Sequence, residues 1–288
     1  MKKYLSLLIT SCFITPLVVG KNIKKEKIKK ISVKITKQKL ETKKTNTQQS
    51  KKTIDQLDIK LFLDNLRKTK IDMKAIECEN YVSGCELISI VNLLNYYGYN
   101  TNLDEFYNNF FEHKDWYIDK NIIYAPDPNY IYPGDPKIAS GKNCGFGCFG
   151  QAVEKSINNF FDSIRNANHK VIFETGAKKE RIKELLDKKT PVIIWSTQAK
   201  KEPKDGLYEM QKPGKYGNSW RITEPKKSKR KIYTWLQGEH CSVIYGYDDS
   251  SYSVCDPFKK NIKLKKESLD KSREIFDNQI VYLIKNPK

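Results

Sequence analysis

Histidine is scarce in this 288-residue chain, with three copies at His113, His169 and His240. Chemistry that needs an imidazole therefore has three places to start. The pair Cys144-x-x-x-Cys148 finds no second ligand pair with a nearby histidine, so a zinc site is not expected, and no other metal or cofactor is indicated. A phosphate cradle is missing too. Gly145-Phe146-Gly147 lacks the Gly-Lys-Ser/Thr ending that would hold a phosphate, and it reads as a turn before a helix. Acidic residues are outnumbered, 34 against 53 Lys and Arg, which leaves a net charge of +19. No recognised nucleic-acid motif accompanies that excess, so nucleic acid is not an expected partner. Cysteine totals seven, with Cys12 inside the first twenty residues. If one of the other six is a working thiol, five remain, and an odd remainder argues against a complete disulfide framework. Cys241 and Cys255 are accordingly expected as buried thiols.

The positive charge is unevenly placed. Fifteen lysines against four acidic residues fall within the first 58 positions, so +11 of the net charge belongs to about a fifth of the chain. Residues 1–20 carry Lys2-Lys3, an apolar run from Tyr4 to Val19 and then Gly20, the pattern of a secretory signal, too short and too interrupted by Pro16 for a comfortable span. Two alternatives stay open: acylation of Cys12 in Ile9-Thr10-Ser11-Cys12, and an uncleaved membrane anchor. Residues 21–58 are rich in Lys, Thr and Gln and read as a flexible tether that would lie along anionic wall polymers or lipid headgroups. The expected location is outside the cell, secreted or anchored. Residues 59–288 are enough for one domain with a substantial core, expected as a monomer. Helical patterns come mostly early (85–97, 104–111, 151–161, 179–186). Strand patterns dominate later (191–195, 241–247, 252–255, 279–284). That is an α+β order, with a helical N-terminal part packed on an antiparallel sheet.

The residues that carry chemistry sit at the two ends of this domain. Ser83-Gly84-Cys85-Glu86 opens a helical run in which Leu87, Ile90, Val91 and Leu94 share a face and Gly98 is placed to stop it. Cys85 is thus at the first turn, where the helix N-terminus favours a thiolate. Gly84 lets the backbone bend closely around a substrate carbonyl, and leaves the Cys85 amide free to donate to an oxyanion. Then, 155 residues on, His240 stands at the mouth of the strand 241–247. Asp248-Asp249-Ser250-Ser251 is a turn signal, and the returning strand 252–255 leads to Asp256-Pro257. A three-residue loop, 248–250, pairs Tyr247 with Ser251 and Asp256 with Ser242, which makes Asp256 and His240 diagonal neighbours on one face. A two-residue loop would put them on opposite faces, so the pairing needs an odd loop or a bulge. A nucleophile, a base and an acid that orients the base is the set that covalent acyl chemistry requires.

At these residues the chain resembles the double-glycine leader peptidase-like group of papain-superfamily cysteine peptidases, the peptidase C thirty-nine-like family, in a secreted single-domain form. The resemblance runs from about Ile71 to Ile284. It rests on Ser83-Gly84-Cys85-Glu86 with the helix end Tyr96-Tyr97-Gly98, on Gly134-Asp135-Pro136, on the glycine-rich turn 144–150, on Pro191 to Trp195, and on Trp235 to His240-Cys241 with Gly246-Tyr247-Asp248 and Asp256-Pro257. It implies a papain-like fold with Cys85 as nucleophile, His240 as general base and acid, and Asp256 as orienter. One element departs. The family commonly carries a glutamine shortly before the nucleophile as an oxyanion donor, whereas this chain has Glu77 and Glu79, and an ionised carboxylate cannot donate. Asn80 is the nearest residue of suitable chemistry.

Three readings of function follow. The first is a secreted or envelope-tethered cysteine peptidase that hydrolyses a peptide or protein substrate through a Cys85 thioester. The second keeps the fold and acts as an amidase or acyltransferase on cell-wall peptides. The third is a catalytically idle cell-wall binding module.

Overall fold

The computed structural model describes residues 69–286 apart from 77, 79, 165, 166, 202, 204, 205, 227, 229 and 230. The expected signal segment, the acylation site at Cys12, the basic tether, and Glu77 and Glu79 therefore lie outside the described residues.

A short strand β1 (Thr69–Lys70) leads to helix α1 (Cys85–Tyr96). The sequence marks one apolar face on α1, yet every residue from Cys85 to Leu94 is buried, Glu86, Ser89 and Asn92 included. The reason is position: α1 is enclosed by the sheet and by helices α2 (Leu103–Asn109) and α3 (Gly150–Asp162). Polar side chains in such a helix need partners. Asn92 Oδ1 accepts the Ile76 amide at 3.0 Å, which ties the incoming chain to the helix. Gly98 ends α1 as expected, with φ +83° and its amide donating to the Asn95 carbonyl. Asn102 caps α2 by accepting the Glu105 amide at 2.9 Å.

Short strands follow, β2 (His113–Lys114), β3 (Tyr117–Asp119), β4 (Ile122–Ala125) and β5 (Tyr132–Pro133). After α3 come β6 (His169–Glu174), α4 (Lys179–Asp187), β7 (Val192–Thr197), β8 (Leu207–Tyr208), β9 (Tyr216–Ile222) and β10 (Ile232–Leu236). The chain closes with β11 (Glu239–Tyr247), β12 (Ser251–Asp256), β13 (Lys260–Lys265), α5 (Lys266–Glu274) and β14 (Ile280–Lys285). The main sheet runs β6-β14-β7-β11-β12-β13-β8, with β1 beside the far end of β11. Its pairs are antiparallel apart from β13 with β8. Strands β10-β9-β4-β3 make a second sheet and β2-β5 a third. Strands β7 and β11 are buried at every position, so the middle of the main sheet is covered on both faces and can hold side chains in fixed places.

The hairpin that carries the candidate base differs from expectation in an instructive way. Its tight end pairs Tyr247 with Tyr252, not with Ser251. Asp248 lengthens the loop by accepting the amides of Ser250 and Ser251 at 3.1 and 2.8 Å. That even register alone would turn Asp256 away from His240. A bulge at Tyr245 shifts the pairing to Ile244 with Val254 and Val243 with Cys255, which puts Asp256 opposite Ser242 after all. Among the described residues no helix is long and apolar enough to cross a membrane.

Candidate active site

Cys85 is the first residue of α1, reached through a turn that is fixed from several directions. The Gly84 amide donates to the Tyr81 carbonyl at 3.0 Å and the Ser83 amide to the Pro136 carbonyl at 3.0 Å. The Tyr132 hydroxyl donates to the Ser83 carbonyl at 2.5 Å. Space is tight at 84: an added Cβ would lie 3.1 Å from Tyr81 Cβ and 3.2 Å from Pro136 Cβ, so a larger residue there would press on both. As the first helical residue, Cys85 has an amide without an intrahelical acceptor, which suits the oxyanion role expected of it. Asn80, the other candidate donor, is exposed on the turn ahead of this segment.

His240 and Asp256 meet as the corrected register requires, with Nε2 2.8 Å from Oδ2 and both side chains buried. Burial pushes the Asp256 carboxyl up, but the charge and hydrogen bond of His240 and the amides of Phe258 and Lys259 outweigh it and bring the group to about 2. A carboxylate can only accept, so Nε2–H is the donor and Nδ1 is left as the basic nitrogen. That Nδ1 is buried and has no hydrogen-bond partner among the described residues. All three histidines prove to lie in strands. His113 stacks on Tyr107 with ring centroids 4.7 Å apart, and His169 Nδ1 is 2.8 Å from the Tyr99 hydroxyl. His240 is the one of the three with a carboxylate partner among the hydrogen bonds described.

Two acids that sequence reasoning passed over stand against the thiol. Glu86 is fully buried, and its Oε1 accepts the Cys148 amide at 2.6 Å while its Oε2 accepts the Cys85 thiol at 3.3 Å. Glu239, buried at the head of β11, brings a carboxyl oxygen within 4.8 Å of both Cys85 Sγ and a Glu86 carboxyl oxygen. Their signal in the sequence was adjacency alone, since each neighbours a triad residue. Gly147 lets the chain pass over them: a Cβ there would sit 2.7 Å from Glu86 Oε1, 2.8 Å from Trp235 and 2.9 Å from Glu239 Oε2. The glycines of the 144–150 turn thus serve close approach as well as the turn itself. Burial, then Glu86, Glu239 and Cys241, push the Cys85 thiol well above its ordinary value, with a backbone hydrogen bond from Cys241 pulling the other way. Burial raises Glu86 to about 7 and Glu239 well above its ordinary range. In this conformation the Cys85 sulfur is hydrogen-bonded to Glu86. Cys144, Cys148, Cys241 and Cys255 are also free thiols.

These shifts set a pH dependence of stability. Asp256, depressed from 3.8 to about 2, contributes about 2 kcal/mol that is present above pH 4 and lost as the pH falls through 2. Glu86 has the opposite sign. Raised from 4.5 to about 7, it makes the folded state hold an extra proton, so about 3 kcal/mol of stability is lost as the pH climbs through that window. Urea midpoints between pH 4.5 and 7 should fall in the wild type and fall less in Glu86→Gln, where Glu239 still contributes; parallel curves for the two proteins would refute the assignment.

Trp220 and Trp235 are buried and pack with Phe146, Phe149 and Tyr233. A cavity of about 460 Å³ opens beside them, and Glu239 is one of its lining residues.

With this geometry in hand, comparison with known proteins is informative. The model of the Peptidase C39-like family matches residues 63–283. A candidate C39-like peptidase from Bacillus anthracis has a similar structure, with a TM-score of 0.59 at 18% identity over 77% of this chain and 99% of that one. Xylellain, a cysteine protease from Xylella fastidiosa, matches with a TM-score of 0.37 at 12% identity over 77% of this chain and 87% of its own. No curated protein matches. The fold is the α+β, papain-like one expected.

Proposed function

The chain belongs to the Peptidase C39-like family, and on that footing we propose that it is a cysteine peptidase in which Cys85 is the nucleophile, His240 the base and Asp256 the group that orients it. The observation that carries the reading is the free, buried Nδ1 of His240, on a ring whose other nitrogen is held by Asp256. The thiol leaves Glu86 and gives its proton to Nδ1; the thiolate attacks the scissile carbonyl; the imidazolium protonates the departing amine. Water, deprotonated by the same Nδ1, then hydrolyses the thioester. The Cys85 amide supports the oxyanion, and a second donor is to be sought in the segment before residue 80. The N-terminal pattern of residues 1–58 favours a protein that is exported and held near an anionic surface by its lysines.

An electrophilic peptide probe, an epoxide for instance, tests this directly. Among the cysteines, Cys85 should carry the label, and labelling should be lost in His240→Gln. Label spread over several thiols, or none at Cys85 while the protein still binds cell wall tightly, would favour the idle binding module. Incubation with wall peptides beside casein-like peptides separates the peptidase from the amidase or acyltransferase.

A further inference from the structure

The cavity that Glu239 lines has a composition that narrows the substrate. Its walls include Phe149, Tyr233, Trp235 and Phe276, its inner end has Glu239, and Asp277 stands at its exposed rim. The aromatic rings form one connected set, Phe149 lying 6.2 Å from Tyr233, 5.8 Å from Trp235 and 6.4 Å from Phe276 between ring centroids. Aromatic faces carry negative potential and attract cations. Glu239 adds a full acid, and its Oε1 is buried with no hydrogen-bond partner among the described residues. Two buried acids and a thiol lie together, and the charge of His240 acts on Glu86, whereas Glu239 has no ion pair among the described residues. Buried acids left in this state need either a proton or a cation. A cavity that combines aromatic walls with polar groups and two carboxyls, Glu239 and Asp277, has the form of a ligand subsite.

We infer that this cavity receives a basic side chain, lysine above all, from a residue of the peptide near the scissile bond, and that Glu239 meets its ammonium. The inference rests on the peptidase reading above and adds a substrate class to it. A lysine stem is long and apolar enough to lie between the aromatic walls while its head reaches the acid. The ammonium then gives Glu239 Oε1 the partner it lacks among the described residues. Because a Glu239 oxygen is within 4.8 Å of Cys85 Sγ, the residue whose ammonium it holds has its backbone within one lysine side chain's reach of the nucleophile.

The test uses peptides in which lysine, or its uncharged near-isostere norleucine, is moved through the positions that flank a cleavable bond. At one position the wild type should prefer lysine by at least tenfold in kcat/KM, and in Glu239→Gln that ratio should fall to about one. An unchanged ratio in Glu239→Gln, even with both rates reduced, would assign Glu239 a structural role and overturn the inference; so would a wild type that favours norleucine at every position. Should Glu239→Gln fail to fold, the rim variant Asp277→Asn should still lower the lysine preference two- to threefold, and no change there would count against the cavity. Binding of the same two peptides to Cys85→Ala by calorimetry separates the two levels of the argument. Lysine-selective binding without turnover in the wild type would keep the subsite and remove the peptidase, whereas turnover without lysine selectivity would do the reverse.

Discussion

Alanine at position 85 is expected to abolish peptide hydrolysis, with kcat/KM falling on the order of a million-fold or to the detection limit, the scale seen when a covalent nucleophile is removed. The loss is large because no other thiol in the site can form the acyl intermediate: Glu86 and Glu239 are held up by burial and are poor nucleophiles while protonated. The same substitution should not cost much stability. Cys85 is 7% exposed, and its removal leaves a small void, which destabilises. It also takes one of three mutually unfavourable acids out of the cluster, which stabilises when the thiol would be ionised. Steady-state kinetics with thermal unfolding on the same sample reads both quantities. Retention of more than a thousandth of wild-type activity in a well-folded Cys85→Ala protein would remove Cys85 from the chemistry.

The parts of the site that could be read from sequence are those whose signals are local. Gly84 before an apolar run, Gly98 after it, and a polar turn between two strand-like runs announced α1 and the hairpin of β11 and β12 because each signal lies within a few residues of what it specifies. Register was only half legible. The Asx turn at Asp248 and the bulge at Tyr245 change the pairing by one residue each, in compensating directions; Gly246 within the strand hints at a bulge, but nothing local fixes its position or its sense. The second sheet was missed because β9, Tyr216–Ile222, mixes exposed and buried positions without a period of two and includes Gly217, Asn218 and Arg221. Helix α5 was missed because it starts directly after β13, at Lys266, with no side-chain cap to mark its N-terminus. Glu86 and Glu239 were visible only as neighbours of Cys85 and His240. What makes them matter is that two strands and a glycine turn close over them, which no local pattern encodes.

The carboxyl that holds the thiol creates a rival for the role of base, and the second large effect decides between them. Glu86 accepts the Cys85 thiol at 3.3 Å and is raised to about 7, a value suited to proton transfer near neutrality. His240 has the free Nδ1 and the orienting acid. Glutamine at 240 keeps an N–H for Asp256 and removes the basic nitrogen, so it should reduce kcat/KM by about a thousandfold or more while the unfolding temperature stays near that of the wild type. Alanine at 240 should lose as much activity and also destabilise, because Asp256 keeps the Phe258 and Lys259 amides at 2.9 and 2.8 Å but loses its imidazole. If Glu86 were the base, the outcome would invert: His240→Gln would retain most activity, Glu86→Gln would lose it, and the wild-type rate would rise through a step near pH 7. With His240 as base, Glu86→Gln should instead speed alkylation of Cys85, since a neutral amide no longer opposes the thiolate. Rates of Cys85 alkylation against pH in the wild type and in these two variants therefore distinguish a carboxyl that restrains the nucleophile from one that activates it.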